Sequence, residues 1–153
     1  MKKLNVDLMH FKTLNDWVRD CEDSEIFLDN LIGQRYVAAG SQGKNIIITG
    51  TPGNALGCYL DGSTILVNGN AQDATGDTMN SGSIIIDGNC GDTTGYGMRG
   101  GMILVRGDAG YRAGIHMKQY KDHIPVLVIG GKAGSFLGEY QAGGVIVVLG
   151  KGC

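Results

Sequence analysis

Short apolar runs, each closing on a glycine, recur along most of the chain. Ile46-Ile47-Ile48-Thr49 leads to Gly50, Ile65-Leu66-Val67-Asn68 to Gly69, Ile84-Ile85-Ile86-Asp87 to Gly88, and Ile103-Leu104-Val105-Arg106 to Gly107. Leu127-Val128-Ile129-Gly130 then leads to Gly131, and Ile146-Val147-Val148-Leu149 to Gly150. Successive runs are 19, 19, 19, 24 and 19 residues apart. Runs this short, rich in Ile and Val and bounded by glycine, read as β-strands. A period near twenty residues marks a solenoid, because one such unit cannot bury its own apolar face and must stack on its neighbours.

Further ladders share the register. Gly57, Gly76, Gly95, Gly114 and Gly138 stand seven residues after the glycine that closes each run, and we read them as structural corners. Gly53, Gly91, Gly110 and Gly134 form a third ladder, with Gln72 as the exception. Leu60, Met79, Met98 and Met117 share one position, which Gln141 fills in the last coil. The methionines read as an internal stack of gap-filling side chains rather than a cofactor box. Asn70, Asn89 and Asp108 follow their glycines directly and read as a ladder of turn residues, with a metal site as the lesser alternative.

Leucine-rich spacing is missing, helical repeats would not survive this glycine density, and the calcium-binding nonapeptide is absent. The expected fold is therefore all-β: a right-handed, single-stranded parallel β-helix of about 19 residues per coil. A short N-terminal helical cap is expected ahead of it. Thr13-Leu14-Asn15-Asp16 resembles a capping box, with Leu14, Trp17, Val18 and Cys21 at helical spacing, so a helix is predicted near 14–21. Ile26-Phe27-Leu28 is predicted as a strand. The cap is expected to occupy 1–29 and the repeats 30–153.

One coil carries five extra residues, in the segment from His116 to Pro125. Solenoid insertions protrude and often bind. His116, Lys118, Tyr120, Lys121, Asp122 and His123 are the candidate partner-contact residues; the alternative is a solvated bulge. The chain breaks off inside a further repeat, Gly150-Lys151-Gly152-Cys153. An uncovered edge, a partner, self-association into a homo-oligomer or a longer protein would each account for that.

Composition adds mainly exclusions. The 153 residues include 27 glycines but no Gly-X-Y period, so collagen is excluded. A net charge of −2 with scattered Lys and Arg gives no case for nucleic acid. No signal peptide and no membrane span are read, so a cytoplasmic location is expected. Cys21, Cys58, Cys90 and Cys153 form no CxxC pair, and His116 and His123 match no common metal spacing, so no catalytic, cofactor-binding or metal residue is assigned. No G-x-S-x-G elbow or Walker pattern occurs, and Gly95-Tyr96-Gly97-Met98-Arg99-Gly100 belongs to the solenoid period rather than to a strand-to-helix turn. Asp73, Asp77, Asp92 and Glu139 leave a polysaccharide-cleaving or other stand-alone hydrolase as a minor alternative.

The repeats at Gly76–Met79 and Gly95–Gly101, and above all Gly138-Glu139-Tyr140-Gln141-Ala142-Gly143-Gly144-Val145-Ile146-Val147-Val148-Leu149-Gly150, resemble the GXGXG domain. This domain closes the large subunit of glutamate synthase, and one of the subunits of formylmethanofuran dehydrogenase is similar to it. The resemblance covers roughly 30–150. It implies a β-helix without catalytic residues that helps hold glutaminase and FMN-binding synthase domains in place. Those partners would convert glutamine and 2-oxoglutarate to glutamate, with FMN and an iron–sulfur cluster bound outside this chain. The chain departs from the whole enzyme by lacking an N-terminal cysteine nucleophile, a flavin barrel and a cluster-binding Cys set. The expected function is a scaffold domain or subunit of such an oxidoreductase complex, contacting its partner chains through an exposed strand face and the 116–125 loop. The alternative is a scaffold like the similar subunit of formylmethanofuran dehydrogenase.

Overall fold

The computed structural model describes residues 1–150. Its single sheet holds eight strands in chain order, every neighbouring pair parallel. They are β1 (Lys2–Asn5), β2 (Glu25–Ile32), β3 (Asn45–Thr51), β4 (Asp61–Asn68), β5 (Ser81–Ile86), β6 (Met102–Val105), β7 (Val126–Ile129) and β8 (Val145–Val148). Each coil contributes one strand and returns through turns, giving a parallel β-helix of about seven turns. Ile26, Ile46, Ile65, Ile84, Ile103, Leu127 and Ile146 stand directly in register.

Period-two alternation explains the strands. The first and third residues of each apolar run point inward, so Ile65 with Val67, Ile84 with Ile86 and Ile103 with Val105 are fully buried. Each such side chain contributes about 1.5–3 kcal/mol of burial. Leu60, Met79, Met98 and Met117 fill the opposite side of the same core, as an internal stack.

The corner ladder has a clear cause. Gly57, Gly76, Gly95, Gly114 and Gly138 all take φ between +64° and +73°. The residues two before and two after them are also left-handed, yet these include Ala74, Thr93, Arg112, Phe136, Thr78, His116 and Tyr140, with φ of 52° to 63°. Conformation alone therefore does not select glycine. Direction does: a Cβ at Gly57 would come 2.7 Å from Ile84 Cδ1, and one at Gly114 2.6 Å from Ile146 Cδ1. The middle position faces the core, whereas the flanks face out and tolerate side chains.

The turn ladder of Asn70, Asn89 and Asp108 is a chain of hydrogen bonds. Asn70 Oδ1 accepts from the Asn89 N–H at 2.8 Å, Asn89 Oδ1 from the Asp108 N–H at 2.7 Å, and Asp108 Oδ1 from the Lys132 N–H at 2.8 Å. A parallel ladder runs from Asn54 through Asp73 and Asp92 to the Tyr111 N–H. Asp73 and Asp92 each use one carboxylate oxygen to satisfy the backbone of the next coil.

The N-terminal end is covered by helix α1 (Phe11–Asp20). It begins three residues earlier than the predicted 14–21 and ends one earlier. Thr13 is not the cap: His10 is, its Nδ1 accepting from the Lys12 N–H at 3.1 Å. Leu14 and Val18 bury against the first coil. Asn15 imitates a missing coil, donating to Arg35 O at 3.0 Å and accepting from the Ala38 N–H at 3.3 Å. Lys44 Nζ closes the other helix end through the carbonyls of Val18 and Cys21, at 2.6 and 2.8 Å. The predicted strand at Ile26–Leu28 extends as β2 across residue 29, so the sheet begins before residue 30. β1 was not foreseen: Lys2, Lys3 and Asn5 carry no strand pattern, and the pairing with Ile26–Asp29 decides it.

Candidate functional site

The chain leaves the solenoid after the buried Met117 and returns at the buried Pro125. Between them Tyr120 and His123 form an antiparallel bridge, with N–H to O distances of 3.1 and 2.9 Å. Lys121 makes the turn at φ 54°, and its ammonium lies 5.3 Å from the Tyr120 ring centre. The hairpin folds back over the preceding coils. A Cβ placed on Gly100 would lie 3.1 Å from His123 Cβ. Tyr120 and His123, with Asp61, Asn80 and Arg99, line a cleft of about 220 Å³.

The six candidate residues are thus divided. Tyr120, Lys121, Asp122 and His123 belong to the hairpin and are exposed. Lys118 sits on the coil beside it, its N–H donating to Met98 O at 3.0 Å. His116 lies elsewhere, on a left-handed corner, stacked on Tyr140 with ring centres 5.1 Å apart and next to Tyr96 at 5.5 Å. His116 and His123 therefore occupy separate environments. Among the described residues, no group of three or more His, Cys, Asp or Glu is arranged to hold a metal ion. Among the same residues, neither of these histidines is hydrogen-bonded through its side chain to a serine or a carboxylate, so no base–nucleophile pair supports the hydrolase alternative.

Cys58 and Cys90 are buried and structural in character. Burial raises the Cys90 thiol to about 12, against smaller opposing contributions from the hydroxyls of Thr94 and Thr75. Burial likewise raises Cys58, and the Asp77 carboxylate adds to it. A thiolate, the reactive form, is disfavoured at both. Cys153 lies outside the described residues.

The outer face of the sheet carries the exposed strand surface expected from the sequence. The middle residue of each apolar run points away from the core. Phe27, Ile47, Leu66, Ile85, Leu104, Val128 and Val147 stand in register in one row, all partly or largely exposed. Met102, Val126 and Val145 widen the row over the last three strands. The Arg106–Asp87 ion pair at its margin, 2.8 Å long, leaves the charge there balanced.

Sequence reasoning expected an exposed strand face without naming the residues of this row, and missed the cleft residues Asp61, Asn80 and Arg99. Both were legible in the register. Asp61, Asn80 and Arg99 each lie four residues after a corner glycine, and Lys118 holds the next place in that column.

The GXGXG motif family model matches residues 25–153. An uncharacterized protein of Methanocaldococcus jannaschii is 51% identical over 148 residues, covering 92% of this chain and 57% of the relative. The chain thus spans a little over half the length of that relative. No solved structure matches it significantly. No helix among the described residues is long and apolar enough to cross a membrane.

Proposed function

Since the chain belongs to the GXGXG motif family, we propose that it is a non-catalytic scaffold for a glutamate synthase-like complex, contacted by its partners through the outer sheet face. The partners would be the glutaminase and FMN-binding synthase units, which convert glutamine and 2-oxoglutarate to glutamate. FMN and the iron–sulfur cluster would reside in those units, and the complex would act in the cytoplasm. The observation that supports this reading most is the unbroken apolar row from Phe27 to Val147. A contiguous apolar strip on a solvent-facing surface marks an interaction site. The rigid solenoid behind it holds the strip in place over seven strands, which suits a spacer between larger units. The outer side of the hairpin, with Lys121 and Asp122, would extend the contact.

The test is a tagged pull-down from native lysate with mass-spectrometric identification. Glutaminase-like and FMN-binding synthase-like chains are expected with the wild-type chain. Leu66→Glu should remove them while leaving the melting temperature within a few degrees, because Leu66 faces outward. Recovery of the chain alone, or as a homo-oligomer, would overturn the reading. Molybdopterin-type subunits would favour the formylmethanofuran dehydrogenase-like alternative.

A further inference from the structure

We infer that the cleft beneath the hairpin is a binding site for a small oxyanion of the carboxylate or phosphate class, held by Arg99, with Lys118 on the next coil adding positive charge beside it. Nothing in the scaffold reading requires it, and the inference does not depend on that reading.

The cleft is not a by-product of the solenoid. Its floor is Asp61, Asn80 and Arg99, successive members of one column of the repeat that Lys118 and Ala142 continue. Five different residue types in one column show that the fold demands none of them. The wall is the hairpin, which is also the departure from the 19-residue step. Ordering extra residues costs conformational entropy. Here the ordered hairpin folds back over the column and brings Tyr120 and His123 to Arg99 and Asn80.

Asp61, Arg99 and Lys118 leave this column with one positive charge in excess. Arg99 and Lys118 sit on adjacent coils, linked by the Lys118 N–H to Met98 O hydrogen bond of 3.0 Å. Adjacent coils stand about 4.8 Å apart, so the two cations repel unless a counter-charge is supplied. Neither takes part in an ion pair among the described residues. Asp61, the carboxylate of the cleft, is held by Ser81 Oγ on Oδ1 at 3.0 Å and by Gln42 Nε2 on Oδ2 at 2.9 Å, and makes no ion pair with Arg99. The remaining groups that line the cleft, the Asn80 amide, the Tyr120 hydroxyl and the His123 imidazole, can all donate hydrogen bonds. A guanidinium fork among neutral donors matches the paired oxygens of a carboxylate or phosphate. The volume of about 220 Å³ admits such an anion, being roughly seven waters' worth at about 30 Å³ each.

The experiment is an NMR titration of the isolated full chain at constant ionic strength. One arm uses inorganic phosphate and another succinate, with chloride as the control. Saturable shifts at the Arg99 Nε–H and at the Tyr120 and His123 amides are expected with phosphate or succinate and not with chloride. The arm that saturates at lower concentration identifies the oxyanion class. Arg99→Gln should weaken binding at least tenfold with an unchanged melting temperature, since the column already accepts the amide of Asn80. Lys118→Gln should weaken it less. Shifts that never saturate in either arm, or an affinity that survives Arg99→Gln, would overturn the assignment.

Discussion

Gly76→Ala is expected to lower stability by about 2–4 kcal/mol, and the melting temperature by about 10 °C for a chain of this size. Two contributions add. Gly76 has φ +69°, where an L-residue loses about 1 kcal/mol. The new Cβ would also stand well inside van der Waals contact with Cδ1 of the fully buried Ile103, and overpacking of this kind costs about 1–3 kcal/mol. Gly95→Ala carries only the first contribution, because its Cβ would meet nothing nearer than Leu127 Cδ2 at 3.6 Å. It should cost about 1 kcal/mol. Ile103→Val removes the colliding methyl, so the Gly76→Ala/Ile103→Val double variant should recover most of the packing loss and keep the backbone loss. Thermal or urea unfolding of the four-member cycle checks this. Equal destabilisation at Gly76 and Gly95, with no rescue, would show that the corners select glycine for backbone conformation and not for direction.

The second large effect is alkaline. Cys90 is pushed up from an ordinary value of 9.0 to about 12, so the unfolded chain releases this proton first. The stability that the buried neutral thiol contributes is therefore whole below about pH 9 and is lost as the pH climbs to about 12. The slope is about 1.4 kcal/mol per pH unit, on the order of 4 kcal/mol across the window. Cys90→Ala abolishes that slope. The substitution suits the site, because Ala71, Ala109 and Ala133 hold the same place in other coils, buried as Cys90 is. Tyrosine and lysine ionise in both proteins, so the difference between their stability curves isolates the thiol. Urea midpoints at intervals from about pH 8 to about pH 11 should show the variant falling less steeply from about pH 9. Parallel curves would mean that Cys90 ionises as freely in the folded chain as in the unfolded one.

Both predictions rest on which way a residue points, and this also separates what was legible in the sequence from what was not. The 19-residue step, the apolar runs and the glycine ladders are local and repeated, so each coil corroborates the next. One slip of register would turn every buried isoleucine outward. That redundancy made the parallel β-helix, the methionine stack and the asparagine ladder readable from residue spacing alone. The segment Gly138–Gly150 resembles the GXGXG domain in its own residues, and the family match over 25–153 agrees with it.

The unrepeated parts had no such support. The capping-box pattern at Thr13–Asp16 is a local preference of about 1 kcal/mol, too small to fix a helix start against the packing of Leu14 and Val18 on the first coil. β1 has no apolar pattern of its own and exists because β2 offers it an edge. In the insertion, sequence could mark His116 and His123 as neighbours in the chain, but the corner sends His116 to Tyr140 while the hairpin sends His123 to Arg99. The sequence by itself determined the solenoid, its period and its core, because stacking repeats one short-range pattern many times. Only the tertiary structure decided where the cap begins, that β1 joins the sheet and that the hairpin lies against Asn80 and Arg99. Those are contacts between residues distant in the chain, and no periodic pattern encodes them.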